Sequence, residues 1–297
     1  MGKYAIVDLG SNTIRLSVYE KKAENDFHLL FSEKETAGLA SYIEKGVLSP
    51  QGISRACEAL ENFHHLLRLF GMEEMHVFAT ASLRNICNTK EAVEEIQQRT
   101  GLKIDVISGE QEARLGYYGA LASSHLKQGV LFDIGGGSTE LVAFSHGEIL
   151  SAQSLAIGSL NLFRENVSGI WPKDSEIKTI TEQISKTLEQ ANLPEKSVKY
   201  LCGVGGTARA VLKIANVYHQ LPADNRTLTR SQLTEVCLRL QQKKKKTRDL
   251  ALRICPERIH TIIPGTLLMK TLCNMLCSHE IYISPYGVRE GYLCRNI

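Results

Sequence analysis

Asp8-Leu9-Gly10-Ser11-Asn12-Thr13-Ile14-Arg15-Leu16 recurs 125 residues later as Asp133-Ile134-Gly135-Gly136-Gly137-Ser138-Thr139-Glu140-Leu141. The two stretches align without a gap: acid, apolar, Gly, two small or polar residues, a hydroxyl, two more residues, Leu. Each follows an apolar run, Tyr4-Ala5-Ile6-Val7 or Val130-Leu131-Phe132, and each leads into an alternating one, with Ile14, Leu16 and Val18 on one face in the first copy. That order predicts strand, tight glycine turn, strand. Gly-rich turns offer backbone N–H groups to phosphate, and carboxylates at strand ends can hold a divalent cation. The repeat therefore predicts a duplicated, two-lobed α/β protein that handles phosphate, with its hairpins facing each other across a cleft.

Outward from the repeat, the length of 297 residues fits two domains, each large enough for its own core. The halves are expected at 1–124 and 125–297, joined by a short polar stretch at 123–128. With 43% hydrophobic residues and a net charge of only +3, no strong field draws the chain to nucleic acid or membrane, and neither is expected as a partner. Lys243-Lys244-Lys245-Lys246 is the local exception; it reads as a solvated face first and a polyanion anchor second. The eight cysteines form no C-x-x-C pair, and Met1-Gly2-Lys3-Tyr4 enters a strand with no leader. Free thiols in a reducing cytoplasm are expected. Cys273 and Cys277 read as core residues.

Between the repeats, a third strand is expected near His28–Phe31. A helix follows, with Ser49 as N-cap, Pro50 at its first position and Gly71 as its stop. Its apolar face reads Ile53, Ala56, Leu60, Phe63, Leu67 and Phe70. A strand at Met75–Ala79 leads to a helix capped by Asn88, with Glu91 at the capping-box position and Gly101 as stop. A strand at Lys103–Ile107 runs into a helix ending near Ala122. In the second half, Ser145-His146-Gly147-Glu148 reads as a hairpin turn. Helices are expected at about Ser175–Ala191, Ser231–Gln242 and Thr266–Cys277, and strands at Val198–Val204 and Glu280–Ile283.

Several residues could carry chemistry. Asp8 and Asp133 end their strands, as turn caps or as cation ligands. Gly135-Gly136-Gly137-Ser138 is the strongest single loop, because three glycines cost backbone entropy unless something must approach closely. Gly203-Val204-Gly205-Gly206-Thr207-Ala208 matches a dinucleotide fingerprint, but within the repeat it reads better as a third phosphate or nucleotide loop. Glu110 and Glu112 open a helix, where acids serve the macrodipole or, alternatively, activate a water against phosphorus. Arg84 is a surface ion-pair partner or a phosphate clamp. The sequence lacks a P-loop, a G-x-S-x-G elbow and an H-E-x-x-H pair.

These motifs, in this order, resemble the exopolyphosphatase/guanosine pentaphosphate phosphohydrolase family of the actin-like ATPase superfamily. The matching stretches are Ile6–Thr13, Ala79–Asn85, Ser108-Gly109-Glu110-Gln111-Glu112-Ala113-Arg114-Leu115, Asp133–Glu140, Gly203–Thr207 and Tyr286-Gly287-Val288-Arg289-Glu290-Gly291. The resemblance implies two ribonuclease-H-like lobes and hydrolysis of a terminal phosphoanhydride with a divalent metal, usually magnesium. It implies Glu112 as the catalytic residue; Gln111 stands where many members carry another acid, which favours Glu112 and leaves Glu110 as the alternative. It places Asp133 and Glu140, with Asp8, at the metal. It places Ser11, Asn12, Thr13, Arg84, Gly135, Gly136, Gly137, Ser138, Gly205, Gly206 and Thr207 at phosphate. The implied substrate is inorganic polyphosphate, with guanosine pentaphosphate as the alternative; a non-catalytic phosphate or nucleotide sensor is the reading from another class. A homodimer is left open. Longer members append a helical region after the Arg-Glu-Gly motif, whereas this sequence ends at Ile297. The expectation is a cleft-only enzyme that levels off at short chains and leaves a ladder of intermediates, unless the lysine run anchors long chains.

Overall fold

The structure, a computed structural model, describes the chain except residues 1, 24, 25, 125, 194–197, 199 and 243. Lys199 of the expected strand and Lys243 of the lysine run thus lie outside the described residues. The chain forms two compact units, Met1–Glu112 with Tyr292–Ile297, and Ala113–Gly291.

In the first unit, β1 (Gly2–Leu9), β2 (Ile14–Ala23) and β3 (Asp26–Glu35) form an antiparallel meander. A small hairpin, β4 (Ile43–Glu44) and β5 (Val47–Leu48), precedes α1 (Pro50–Leu69). Next come β6 (His76–Ala79), α2 (Ala81–Arg84), α3 (Thr89–Thr100), β7 (Ile104–Val106) and α4 (Gly109–Leu121). The sheet order is β3-β2-β1-β6-β7, with β6 and β7 added parallel to β1. Helix α1 begins as expected: the Gly52 amide donates to Ser49 Oγ at 3.3 Å, and Pro50 occupies a position that needs no donor. Ile53, Ala56, Leu60, Phe63 and Leu67 are buried, but Phe70 is 58% exposed because the helix ends one residue earlier. Asn88 does precede α3, yet its side chain caps nothing there. It exchanges two hydrogen bonds with the backbone of Leu48 instead, at 2.9 and 3.0 Å.

The second unit repeats the plan. β8 (Gln128–Ile134), β9 (Thr139–Ser145) and β10 (Glu148–Leu155) form the meander. Its second turn carries His146 and Gly147 at φ 50° and 87°, the left-handed pair that suits the twist of a tight hairpin. Then come α5 (Ser159–Asn166), α6 (Asp174–Glu189), β11 (Tyr200–Val204), α7 (Gly205–Tyr218), β12 (Thr227–Thr229), α8 (Arg230–Gln241), α9 (Lys245–Ile254), α10 (Ile262–Met275), β13 (Glu280–Ile283) and α11 (Val288–Arg295). The sheet order is β10-β9-β8-β11-β13-β12, with β11 and β13 parallel to β8 and β12 antiparallel at the edge. Its core strands are buried on both faces. Val130, Phe132 and Ile134 pack into one cluster with α6, α7 and α10, and Leu131 into another with Ala113, Tyr117 and Ala120 of α4. A strand covered on both sides reads as a continuous apolar run, which is why Val130-Leu131-Phe132 does not alternate.

The first unit passes into the second within α4, between Glu112 and Ala113, and Ala113, Tyr117 and Ala120 of that helix pack into the second unit's core. The last six residues return to the first unit, where Tyr292 stacks on Phe78 at 4.9 Å and Leu293 O accepts from Lys21 Nζ at 3.1 Å.

Candidate active site

Each unit carries its copy of the repeat at the tip of its first hairpin, in the same register. Asp8 lies opposite Arg15 and Leu9 opposite Ile14; Asp133 lies opposite Glu140 and Ile134 opposite Thr139. The four-residue turns between are built alike. In the second unit the Gly135 amide closes the turn on Ser138 O at 2.9 Å. The Gly135 carbonyl accepts from the Ser159 amide at 2.9 Å, and the Gly136 carbonyl from those of Leu160 and Asn161 at 2.9 and 3.1 Å. The Gly137 carbonyl accepts from Asn161 Nδ2 at 3.3 Å. The start of α5 thus pulls three successive carbonyls to one side. A trans peptide directs the next N–H the opposite way, so those of Gly136, Gly137 and Ser138 turn away from α5. The first unit does the same with fewer groups: Ala40 N donates to Ser11 O at 2.9 Å and Gly38 N to Asn12 O at 3.0 Å. The amides of Asn12 and Thr13 are directed oppositely. Successive amides aimed to one side form an anion-binding concavity.

Around these matching turns the electrostatics differ. Residues directly opposite in antiparallel strands project from one sheet face. In the second unit that row reads Asp133, Glu140, Ser154, and Ser154 Oγ donates to Glu140 Oε1 at 2.7 Å. In the first it reads Asp8, Arg15, Lys34. One row is acidic and the other basic. Glu140 is buried, and burial pushes the Asp133 carboxyl above the usual carboxylate range while Arg209, Arg258 and Arg289 pull it down. Within neither unit do three or more His, Cys, Asp or Glu among the described residues form a cage for a metal.

The third glycine loop leads from β11 into α7. Gly205 has φ 80°, and a Cβ there would lie 2.0 Å from Asp133 Oδ1, so only glycine permits both the turn and the carboxylate beside it. Arg258 lies against the next residue, with Nη2 2.0 Å from where a Gly206 Cβ would stand. Thr207 serves as a fastener instead. Its hydroxyl donates to Ile134 O at 2.8 Å and ties α7 to the end of β8. Arg209 donates to Ser284 O and Pro285 O at 3.5 and 3.4 Å, which holds it under the Tyr286–Gly291 motif. In that motif Glu290 Oε2 accepts from the Gly287 amide at 2.8 Å.

In the first unit, Ser82 donates to Leu9 O and ties α2 to the end of β1. The structure brings Arg84 and Glu112 together. Arg84 Nη1 donates to Glu112 Oε2 at 2.7 Å and to Ile107 O at 3.2 Å, with both side chains largely buried. Glu112 is therefore oriented by an always-charged donor. Its neighbours differ. Ser108 N donates to Gln111 Oε1 at 2.7 Å and Gln111 N to Ser108 Oγ at 3.1 Å, a reciprocal cap on α4, and Glu110 is exposed. Sequence reasoning missed that cap, although Ser-x-x-Gln is its signature. It also missed the arginine cluster. Arg289 lies inside the Tyr286–Gly291 motif, Arg209 two residues past Thr207, and Arg258 carries no local signal.

Two sheets built on one plan, each with a hairpin turn whose amides face one side, are the frame of the actin-like ATPase fold, here that of a phosphoanhydride hydrolase. Comparison with known proteins makes the family explicit: the chain belongs to the Ppx/GppA phosphatase family, whose profile matches residues 17–297. Exopolyphosphatase 2 of Mycobacterium tuberculosis is 27% identical, over 97% of each chain. Among solved structures, the Aquifex aeolicus Ppx/GppA family member superposes at TM-score 0.81 with 24% identity, covering 99% of this chain and 97% of that one. An exopolyphosphatase from Cytophaga hutchinsonii superposes at 0.86 with 21% identity, covering 100% and 99%. No helix among the described residues is long and apolar enough to cross a membrane.

Proposed function

We propose that the protein is a magnesium-dependent exopolyphosphatase, with Glu112 as the base that activates water. The observation that carries the reading is the Arg84–Glu112 pair at 2.7 Å, which fixes one carboxylate oxygen and so aims the group. The groups assigned to phosphate are the loop of Gly135–Ser138, the three arginines around Asp133, and the loop of Ser11, Asn12 and Thr13. Water attacks the terminal phosphorus, and its proton passes to Glu112. The new P–O bond forms as the bridging P–O bond breaks, and the shortened chain leaves as the anion. Phosphoryl transfer needs positioning and charge neutralisation more than covalent help.

The residues fit magnesium in one manner. Asp133 and Glu140 offer two oxygen ligands on one sheet face, and magnesium is commonly held by one or two carboxylates with substrate phosphates and waters. Bound there, it would neutralise phosphate charge. Asp8 is the third carboxylate assigned to the cation, and its row-mates Arg15 and Lys34 suit phosphate. The test is phosphate release from tripolyphosphate, long-chain polyphosphate and guanosine pentaphosphate, with and without magnesium. Magnesium-dependent release from polyphosphate is expected. Release from guanosine pentaphosphate alone transfers the assignment to the nucleotide, and release from none of the three leaves the sensor reading.

A further inference from the structure

Helix α7 starts beside Asp133 at the end of β8 and ends at a groove that the chemistry above does not use. The groove, a cavity of about 960 Å³, runs between the last turns of α7, helix α8 and helix α9. Its apolar side includes Val217, which is 48% exposed, beside Tyr218. Its other side holds Lys244, Lys245 and Lys246, all exposed, with Arg239 and Arg253; Asp249 is the single acid in the lining. The lining thus carries five cations against one anion.

These cations are not equivalent. Arg239 is committed: its Nη2 lies 3.6 Å from Glu235 Oε1, and its guanidinium sits 5.4 Å over the Tyr218 ring. Tyr218 Oη donates to the same carboxylate oxygen at 2.9 Å. That triad makes one fixed wall. Among the described residues, no ion pair engages Lys244, Lys245, Lys246 or Arg253, so their charge faces whatever enters. Lysine is a point charge on a flexible stem, suited to a phosphate backbone with no fixed register. Lys244 also gives α9 no side-chain cap, which leaves the positive end of a ten-residue helix on the same side.

We propose that this groove holds the distal part of a long polyphosphate chain whose terminal phosphate is at the Gly135–Ser138 loop. The proposal rests on the polyphosphate reading above. Helix α7 sets the reach: Gly205 and Val217 are about 18 Å apart at 1.5 Å per residue. Chains long enough to run the length of α7 engage both ends, and tripolyphosphate engages only the loop. The lysine run is then an anchor rather than a solvated face, and the ladder expected from sequence is confined to chains too short to span the helix.

The test replaces Lys244, Lys245 and Lys246 together by Gln, with the triple Arg variant as a charge-retaining control. For long-chain polyphosphate, KM should rise on the order of tenfold at low salt, and the double-logarithmic salt slope should fall by about 2, at about 0.7 per cation removed. KM and kcat for tripolyphosphate should stay as in the wild type, and the Arg variant should restore the long-chain KM. An unchanged long-chain KM and slope, or an equal loss on tripolyphosphate, overturns the groove. If the wild type releases phosphate from neither substrate, the hydrolase reading fails separately. Equilibrium binding of long-chain polyphosphate then decides the groove: loss in the Gln variant supports it, and equal binding overturns it.

Discussion

Three consecutive acids and amides, Glu110, Gln111 and Glu112, have three different fates within one helical turn. Glu110 faces solvent, Gln111 caps the helix, and Glu112 lies under Arg84. Position on the helix, rather than residue type, separates the candidate base from its neighbours. Glu112→Gln should therefore lower kcat by about 10²–10⁴-fold, the usual contribution of a positioned base, while Glu110→Gln keeps near wild-type turnover. Steady-state kinetics on the two variants checks this, and the reverse result moves the base by two positions. Asp133 makes a different prediction. Its folded-state pKa is raised, so the folded protein binds that proton more tightly than the unfolded chain. Without metal, its ionised form costs stability, and that cost grows as pH rises from the ordinary carboxylate range through the raised value. Asp133→Asn should then melt at or above the wild-type temperature at neutral pH, with the gap closing in acid. Magnesium should raise the melting temperature of the wild type but not that of the variant. Differential scanning calorimetry with and without a chelator reads both, and a metal-free variant that melts below the wild type contradicts the assignment.

At the scale of elements, a site is only as rigid as the joints that hold its loops. α4 carries Glu112 in its first turn, and the Ser108–Gln111 exchange is its cap. Ser108→Ala should cost about 1 kcal/mol of stability, the usual worth of an N-cap hydroxyl. It should also lower kcat without touching a reacting atom. Urea unfolding and kinetics on one preparation check the two effects together; loss of stability with unchanged kcat would mean that Arg84 alone positions the base. The hairpins are legible in the sequence because their signal is local: an apolar run, a glycine turn and a repeat of both. The same locality explains what the sequence conceals. Helix α10 is expected from Thr266 but starts at Ile262, because Pro264 falls in its first turn, where no amide donor is required. Helix α9 is hidden by lysines whose charge suggests first a solvated face and says nothing of a helix. Helix α7 shows in sequence only its opening glycines, since nothing nearby reveals that Thr207 fastens it to β8. The arginines around Asp133 come from three distant segments, and only tertiary packing gathers them.

For the molecule as a whole, the C-terminal segment is structural in the first unit. Tyr292 is 7% exposed, stacks on Phe78 and donates to Asp105 Oδ2 at 3.3 Å. Burial, reinforced by Asp105, pushes its phenol up to about 12. An unfolded tyrosine ionises near 10, so the folded state keeps a proton that the unfolded state loses. Stability should therefore fall as pH rises from about 10 to about 12 in the wild type. Tyr292→Phe should flatten that limb, and Tyr292→Ala should cost about 3–5 kcal/mol at neutral pH, as for other large buried aromatics. Chemical denaturation across the alkaline range checks both; a parallel limb in the Phe variant would place the titration elsewhere. The return of the chain to its first unit also has a consequence during synthesis. Residues 113–291 lie between the two parts of that unit, so its sheet emerges from the ribosome long before the tyrosine that closes it. At about 5–20 residues per second, the wait is on the order of ten to forty seconds. Through that interval the nascent chain presents Phe78 without its stacking partner, while the strands and helices of the inserted second unit emerge in turn.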